Sequence, residues 1–158
     1  MKYMQTKSWV QKLAKKKGLP KKVKIEKKME KTCGKGTMII PLPSDVDRMM
    51  RKAKKGKILT IEMIRDSLAK KYKTNTCCPL TTGIFAWIAA NAAEEQRSAG
   101  RVDITPYWRT IKSDGSLNPK YPGGDFAQAR KLKMEGHIIS RTGKKFVLKN
   151  FENKKQKL

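Results

Sequence analysis

The stretch that most restricts the fold is residues 81–100, TTGIFAWIAANAAEEQRSAG. In a chain of 158 residues that carries 38 Lys and Arg, it is the strongest apolar-periodic segment. Its spacing predicts a helix capped by Thr81 or Thr82 and closed by Gly100. Ile84, Trp87, Ile88 and Ala92 are the expected buried face.

Shorter helices flank it. In PSDVDRMMRKAKKGK, Ser44 is the expected N-cap, with Asp45 and Asp47 in the first turn, where negative charge suits the helix dipole. Val46, Met49, Met50 and Ala53 form an apolar stripe, and Gly56 ends the segment. Thr60 caps the next helix, which turns Ile61, Ile64 and Leu68 inward. After Gly100 the pattern changes. DITPYWRTIKSDGSL reads as extended chain with a tight turn at SDGS. DFAQARKLKMEG reads as a helix capped by Asp125, with Phe126, Ala129 and Leu132 inward and Gly136 at its end. HIISRTGKKFVLKNF reads as two strands around RTGK, a hairpin. The expectation is a mostly α domain with a small β component, winged helix-turn-helix-like with a C-terminal β-hairpin, over residues 37–153. Residues 1–36 read as a basic, largely flexible arm with one short helix, capped by Ser8 and carrying Trp9, Val10 and Leu13 on one face. Residues 154–158 read as a basic tail.

The formal net charge is +25, self-repelling unless an anion offsets it. The first 36 residues hold 13 Lys against 2 Glu, and the body is basic as well. A cationic body with a cationic arm is the footprint of a phosphate-backbone binder. No apolar run approaches a membrane span. The N-terminus has charge but no apolar signal core, so the expected place is the cytoplasm, in association with nucleic acid. Cys33, Cys77 and Cys78 make no disulfide framework in such a compartment. With His137 alone beside them and no C-x-x-C, they make no expected metal site. No cofactor is expected.

Four blocks resemble the DNA-binding domain of the alkylguanine-DNA alkyltransferases, and more closely the alkyltransferase-like proteins that lack the reactive cysteine. KAKKGKILTIEMI is similar to the family's entrance helix. TTGIFAWIAANAA stands where the family has its recognition helix. TPYWRTIKSDGSLNPKYPGG, residues 105–124, is similar to the family's V-P-C-H-R-V-I-x-x-x-G-x-L-x-x-Y-x-G-G, and LKMEGH to its L-x-x-E-G. The resemblance places Tyr107 where the family has its nucleophilic Cys and Trp108 where it has the activating His. Arg109 is kept, and Glu135 matches the distant Glu. Ile61 replaces the Tyr that helps rotate a nucleotide, and the arginine finger falls near Thr81 or Thr82.

Alkyl transfer needs a soft nucleophile ionised near neutral pH. A phenol with a pKa near 10 and no base beside it is a poor one. The resemblance therefore implies recognition without transfer: duplex DNA, alkylated or not, is the expected partner, with DNA-repair proteins behind it and a monomer as the binding unit. Tyr107, Trp108, Arg109, Asn118, Tyr121 and Glu135 are the implied base-pocket residues, although Tyr107 and Trp108 read equally well as core aromatics. Arg109 could equally tie the strand to Glu135 or a carbonyl. Thr81, Thr82, Lys54, Lys55, Lys57, Lys71, Lys73, Arg141, Lys144 and Lys145 are the expected DNA contacts. Two alternatives stay open. A thiol of Cys77 or Cys78, before a helix N-terminus that could lower its pKa, could serve as the methyl acceptor of an active methyltransferase. Or the winged fold could bind nucleic acid, DNA or RNA, without lesion specificity.

Overall fold

A computed structural model describes residues 7–158. The elements run α1 (Trp9–Leu13), β1 (Lys21–Lys24), α2 (Glu30–Cys33), β2 (Thr37–Ile40), α3 (Pro43–Met50), β3 (Leu59–Thr60), α4 (Ile61–Lys71), β4 (Thr76–Cys77), α5 (Pro79–Ser98), β5 (Thr110–Ile111), α6 (Gly124–Met134), β6 (Ile139–Thr142) and β7 (Lys145–Leu148). The fold class is as expected: helices with small sheets and a C-terminal hairpin. β2 pairs antiparallel with β1 and parallel with β4, β3 pairs parallel with β5, and β6 pairs antiparallel with β7.

The long helix starts earlier than the cap residues suggest. Pro79 occupies its first turn and Cys78 is the N-cap residue, because proline has no N–H to leave unsatisfied there. Thr82 is therefore inside the helix, and its hydroxyl donates to the Cys78 carbonyl at 2.7 Å. The buried face is only partly as expected: Ala92 is enclosed, but Ile84 and Trp87 are not. Thr82, Ala86, Ala89 and Ala93, at helical spacing, are fully enclosed, while Ile84 and Trp87 are 42% and 38% exposed. Small side chains let α3 pack closely on this helix, and methyl groups at close range make dense contacts. Side-chain size alone points the wrong way in such a helix.

Two further caps move. Leu42, not Ser44, precedes α3, with Pro43 at the first helical position and the Asp45 carboxylate accepting the Leu42 N–H at 3.0 Å. Gly123, not Asp125, is the N-cap of α6, in a left-handed conformation with φ 80° that favours glycine. The shift turns Phe126 outward, 68% exposed. Thr60 does cap α4, accepting from the Met63 N–H at 3.2 Å, and the Val46, Met49, Met50 and Ala53 stripe is buried. The SDGS turn forms with Gly115 at φ 87°, and Asp114 accepts from both the backbone and the hydroxyl of Ser116, at 2.9 and 2.6 Å.

The segment expected to be a flexible arm is folded from residue 8 onward, and residues 1–6 lie outside the described residues. Lys21–Lys24 pairs with β2 across the expected boundary at 36/37, and Ile25, Cys33, Met38 and Cys78 close a small core. Ser8 caps α1 through a reciprocal pair with Gln11. The N–H groups of Trp9 and Val10 donate to the Glu95 carboxylate at 3.0 and 3.3 Å, and the Trp9 ring meets Trp87 edge-on at 4.7 Å. Four apolar residues and a sheet edge offset the ordering of many lysines, whose chains lie along the surface with their ammonium groups in water. The basic tail is docked too: Ile58 bridges Lys155 and accepts the Gln156 N–H at 2.8 Å.

Candidate functional site

Residues 105–111 are held at three points. The buried Thr105 hydroxyl donates to Asp47 on α3 at 2.5 Å. The fully enclosed Gln128 on α6 donates to the carbonyls of Trp108 and Thr110 at 3.0 and 3.2 Å, and accepts the Asn118 N–H at 2.8 Å. β5 pairs with β3. Between these anchors the chain makes a tight 3-10 turn at Tyr107–Arg109, where extended chain was expected. The turn is what sends Tyr107 and Trp108 to two different carboxylates.

Trp108 donates its indole N–H to Glu135 at 2.6 Å, and Arg109 grips both oxygens of the same carboxylate at 2.9 Å while donating to the Ala53 carbonyl at 2.8 Å. The Arg109–Glu135 pair is nearly buried. It ties the turn to the end of α6 and to the chain after α3, which is a fold-holding arrangement. Tyr107 is 2% exposed and donates to Glu94 on α5 at 2.7 Å. Its ring meets the edges of Trp108 and Tyr121 at 5.4 and 5.6 Å. Burial first, and then the Glu94 carboxylate, push the phenol well above its ordinary value near 10. Glu94 is itself raised by burial, but donors from Tyr107 and Arg97 and the charge of Lys131 outweigh that and hold it below the ordinary carboxylate range.

The six implied base-pocket residues therefore do not share one pocket. Tyr107 lies at the floor of an open depression of about 510 Å³ with Glu94, Arg97 and Lys131 around it. Asn118 lines a separate groove of about 500 Å³ with Leu80, Ile84, Trp87, Lys112 and Lys120. Trp108, Arg109 and Glu135 form the ion-paired knot, and Tyr121 is in the core with its hydroxyl unpartnered. With so little of Tyr107 exposed, and the Lys131 ammonium 5.4 Å above its ring, it offers no open surface on which a base could stack.

Of the expected DNA contacts, Thr82 is fully buried and cannot reach a ligand; Thr81 is half-buried. Lys54, Lys55, Lys57, Lys71, Lys73, Arg141, Lys144 and Lys145 are exposed. Lys71 pairs with Asp45 at 3.0 Å and Lys145 with Asp114 at 3.7 Å; the other six form no ion pair among the described residues. Cys77 is fully enclosed, with burial pushing its thiol up, and Cys78 is 7% exposed. Neither thiol is open to a substrate, which weighs against the methyl-acceptor alternative. His137 is 6% exposed, and its Nε2 has no hydrogen-bond partner among the described residues. Burial lowers its pKa, against a smaller upward pull from Glu135.

Glu94, Arg97 and Lys131 are the participants that the sequence reading missed. One signal was present. Glu94 and Glu95 stand near the C-terminal end of a helix, where negative charge opposes the dipole. Both have tertiary partners that offset this: Tyr107 for one, the start of α1 for the other.

No family model matches the chain, and no curated protein matches it. Two solved structures are similar to it. One is S. pombe Atl1 in complex with damaged DNA containing O6-carboxymethylguanine, 18% identical with a TM-score of 0.51; it matches 73% of this chain and 94% of that one. The other is S. pombe ATL in complex with DNA, 19% identical with a TM-score of 0.53 over the same shares. The chain has the fold of these two proteins.

Proposed function

We propose that this chain is a non-enzymatic, alkyltransferase-like DNA-binding protein, which holds duplex DNA on its cationic surface and accepts no alkyl group from it. The observation that carries this is the state of Tyr107. At the place the resemblance gives to a thiolate stands a phenol that is buried, hydrogen-bonded to Glu94 and shifted away from ionisation. At the place of its base stands an indole, a donor only, already spent on Glu135. Neither group can attack carbon near neutral pH.

Binding is supported by the charge of +25, by the unpaired Lys and Arg side chains, and by the shared fold with proteins solved on DNA. Recognition of an altered base is assigned to the depression above Tyr107, where Glu94 offers acceptors and Arg97 and Lys131 offer donors. A chain bound in this way would mark the lesion for repair factors.

The test is the intact mass of the protein after incubation with duplex carrying an O6-alkylated guanine, alongside gel shifts with damaged and undamaged duplex across salt. The expected result is an unchanged mass, a steep salt dependence and a preference for the damaged duplex that Glu94→Gln reduces. One added alkyl group on the chain would overturn the assignment. Equal affinity for both duplexes would remove its lesion-reading half.

A further inference from the structure

The outer side of α6 carries a feature that, apart from Arg141, lies outside the expected duplex contacts. Phe126, 68% exposed, stands with its ring edge-on to Phe146 of β7 at 6.3 Å. The two rings, with Ala129, Arg130 and Lys133, line a notch of about 270 Å³ between the helix and the hairpin. Arg130 and Lys133 follow Phe126 at helical spacings of four and seven, about 6 and 10 Å along the axis. From the hairpin, the Arg141 guanidinium lies over the Phe146 ring at 5.7 Å. None of these three cations has an acidic partner within ion-pair distance among the described residues. The notch thus combines an open aromatic face with three uncompensated positive charges.

We propose that this notch binds a single-stranded nucleic acid, with one unpaired base stacked on Phe126 and the neighbouring phosphates held by Arg130, Lys133 and Arg141. An exposed ring in a surface groove is a platform for any base, since every base has a π face, and a cationic border follows the backbone. Arg141 lies over Phe146 and donates its Nε–H to the Gly143 carbonyl at 3.3 Å, which holds the guanidinium beside the ring and leaves its two terminal NH2 groups for an anion. A chain of this net charge meets polyanions as its commonest partners. The arrangement needs neither the Tyr107 centre nor a duplex.

The experiment is fluorescence anisotropy of a short labelled oligothymidine strand with the full chain, across salt, with an acidic peptide and a duplex as separate arms. Phe126→Ala is expected to weaken strand binding about 5- to 150-fold, to leave the salt slope unchanged and to leave duplex binding intact. Phe126→Tyr keeps the affinity. Each of Arg130→Ala, Lys133→Ala and Arg141→Ala lowers the slope by about 0.7. The melting temperature of Phe126→Ala stays at the wild-type value because the ring is in solvent. Wild-type strand affinity in Phe126→Ala would overturn the proposal. So would an acidic peptide that binds in a Phe126-dependent way while the strand does not. Retained duplex binding beside lost strand binding separates this inference from the proposed function.

Discussion

The molecule holds two sets of aromatic rings in opposite circumstances. Around Tyr107, Trp108 and Tyr121, ring edges meet ring faces, and the two polar handles of Tyr107 and Trp108 each end on a carboxylate. Around Phe126 and Phe146, one ring is mostly in water and the cations beside it have no counter-charge among the described residues. The same residue classes, aromatic and basic, give closure in the first case and an open surface in the second. Acid is what differs. Glu94 and Glu135 are supplied to the inner set, and no carboxylate lines the outer notch. Where the acid is present it pairs the nearby positive groups, and where it is missing they stay uncompensated.

Substitutions can break this contrast, and the largest effect is expected at Glu135. Glu135→Ala leaves the nearly buried Arg109 guanidinium and the Trp108 N–H without their acceptor, and should cost about 3–5 kcal/mol in urea unfolding. Next comes Asp45→Asn. This enclosed carboxylate accepts from Tyr72, Lys71 and the Leu42 N–H at 2.5, 3.0 and 3.0 Å. Burial raises it, but those donors outweigh the burial and leave it below its ordinary value. A depressed acid contributes stability above its unfolded pKa and loses it as pH falls through the folded value. Asp45→Asn should therefore cost about 2 kcal/mol at neutral pH and flatten the acid limb of the stability curve below about pH 4. Tyr107→Phe should cost about 1 kcal/mol, one hydrogen bond with the ring packing kept, measured by the same unfolding curve.

A smaller effect sharpens the inner side. His137 has its pKa lowered by burial, so the folded state prefers the neutral ring. Stability should fall as pH drops from its unfolded value near 6.5 toward the folded one. His137→Gln should remove that slope in thermal melts between pH 7 and pH 5. The smallest effect belongs to the outer side. Arg130→Ala with Lys133→Ala should change the unfolding free energy by about 0.5 kcal/mol or less. A large loss there would erase the distinction between the two sets.

Much of the architecture was legible from spacing: the Thr60 cap, the Val46–Ala53 stripe, the SDGS turn, the RTGK hairpin and the glycines after α5 and α6, although α3 ends at Met50, well before Gly56. These are local devices whose physics acts within a few residues. The errors cluster where a helix had to choose its inward face. Apolar spacing turns Ile84, Trp87 and Phe126 inward, yet alanines, Thr82 and Gln128 face the neighbours. The implied pocket failed for a related reason: Tyr107 and Asn118 are eleven positions apart and line different concavities, a separation decided by the 3-10 turn and by Gln128. The pairing of Arg109 with Glu135 was open beside a carbonyl, and the fold uses both acceptors.

By itself, the amino-acid order determined the main helices and the terminal hairpin, the cationic surplus and the absence of a thiolate at position 107, because these depend on residue identity and short-range backbone preference. Only the tertiary structure decided that the lysine-rich start folds onto β2, that the implied pocket divides, and that Glu94 and Glu135 close one aromatic set while the other stays open. Those outcomes depend on which distant groups come within hydrogen-bond range, and that distance is a property of the packed chain.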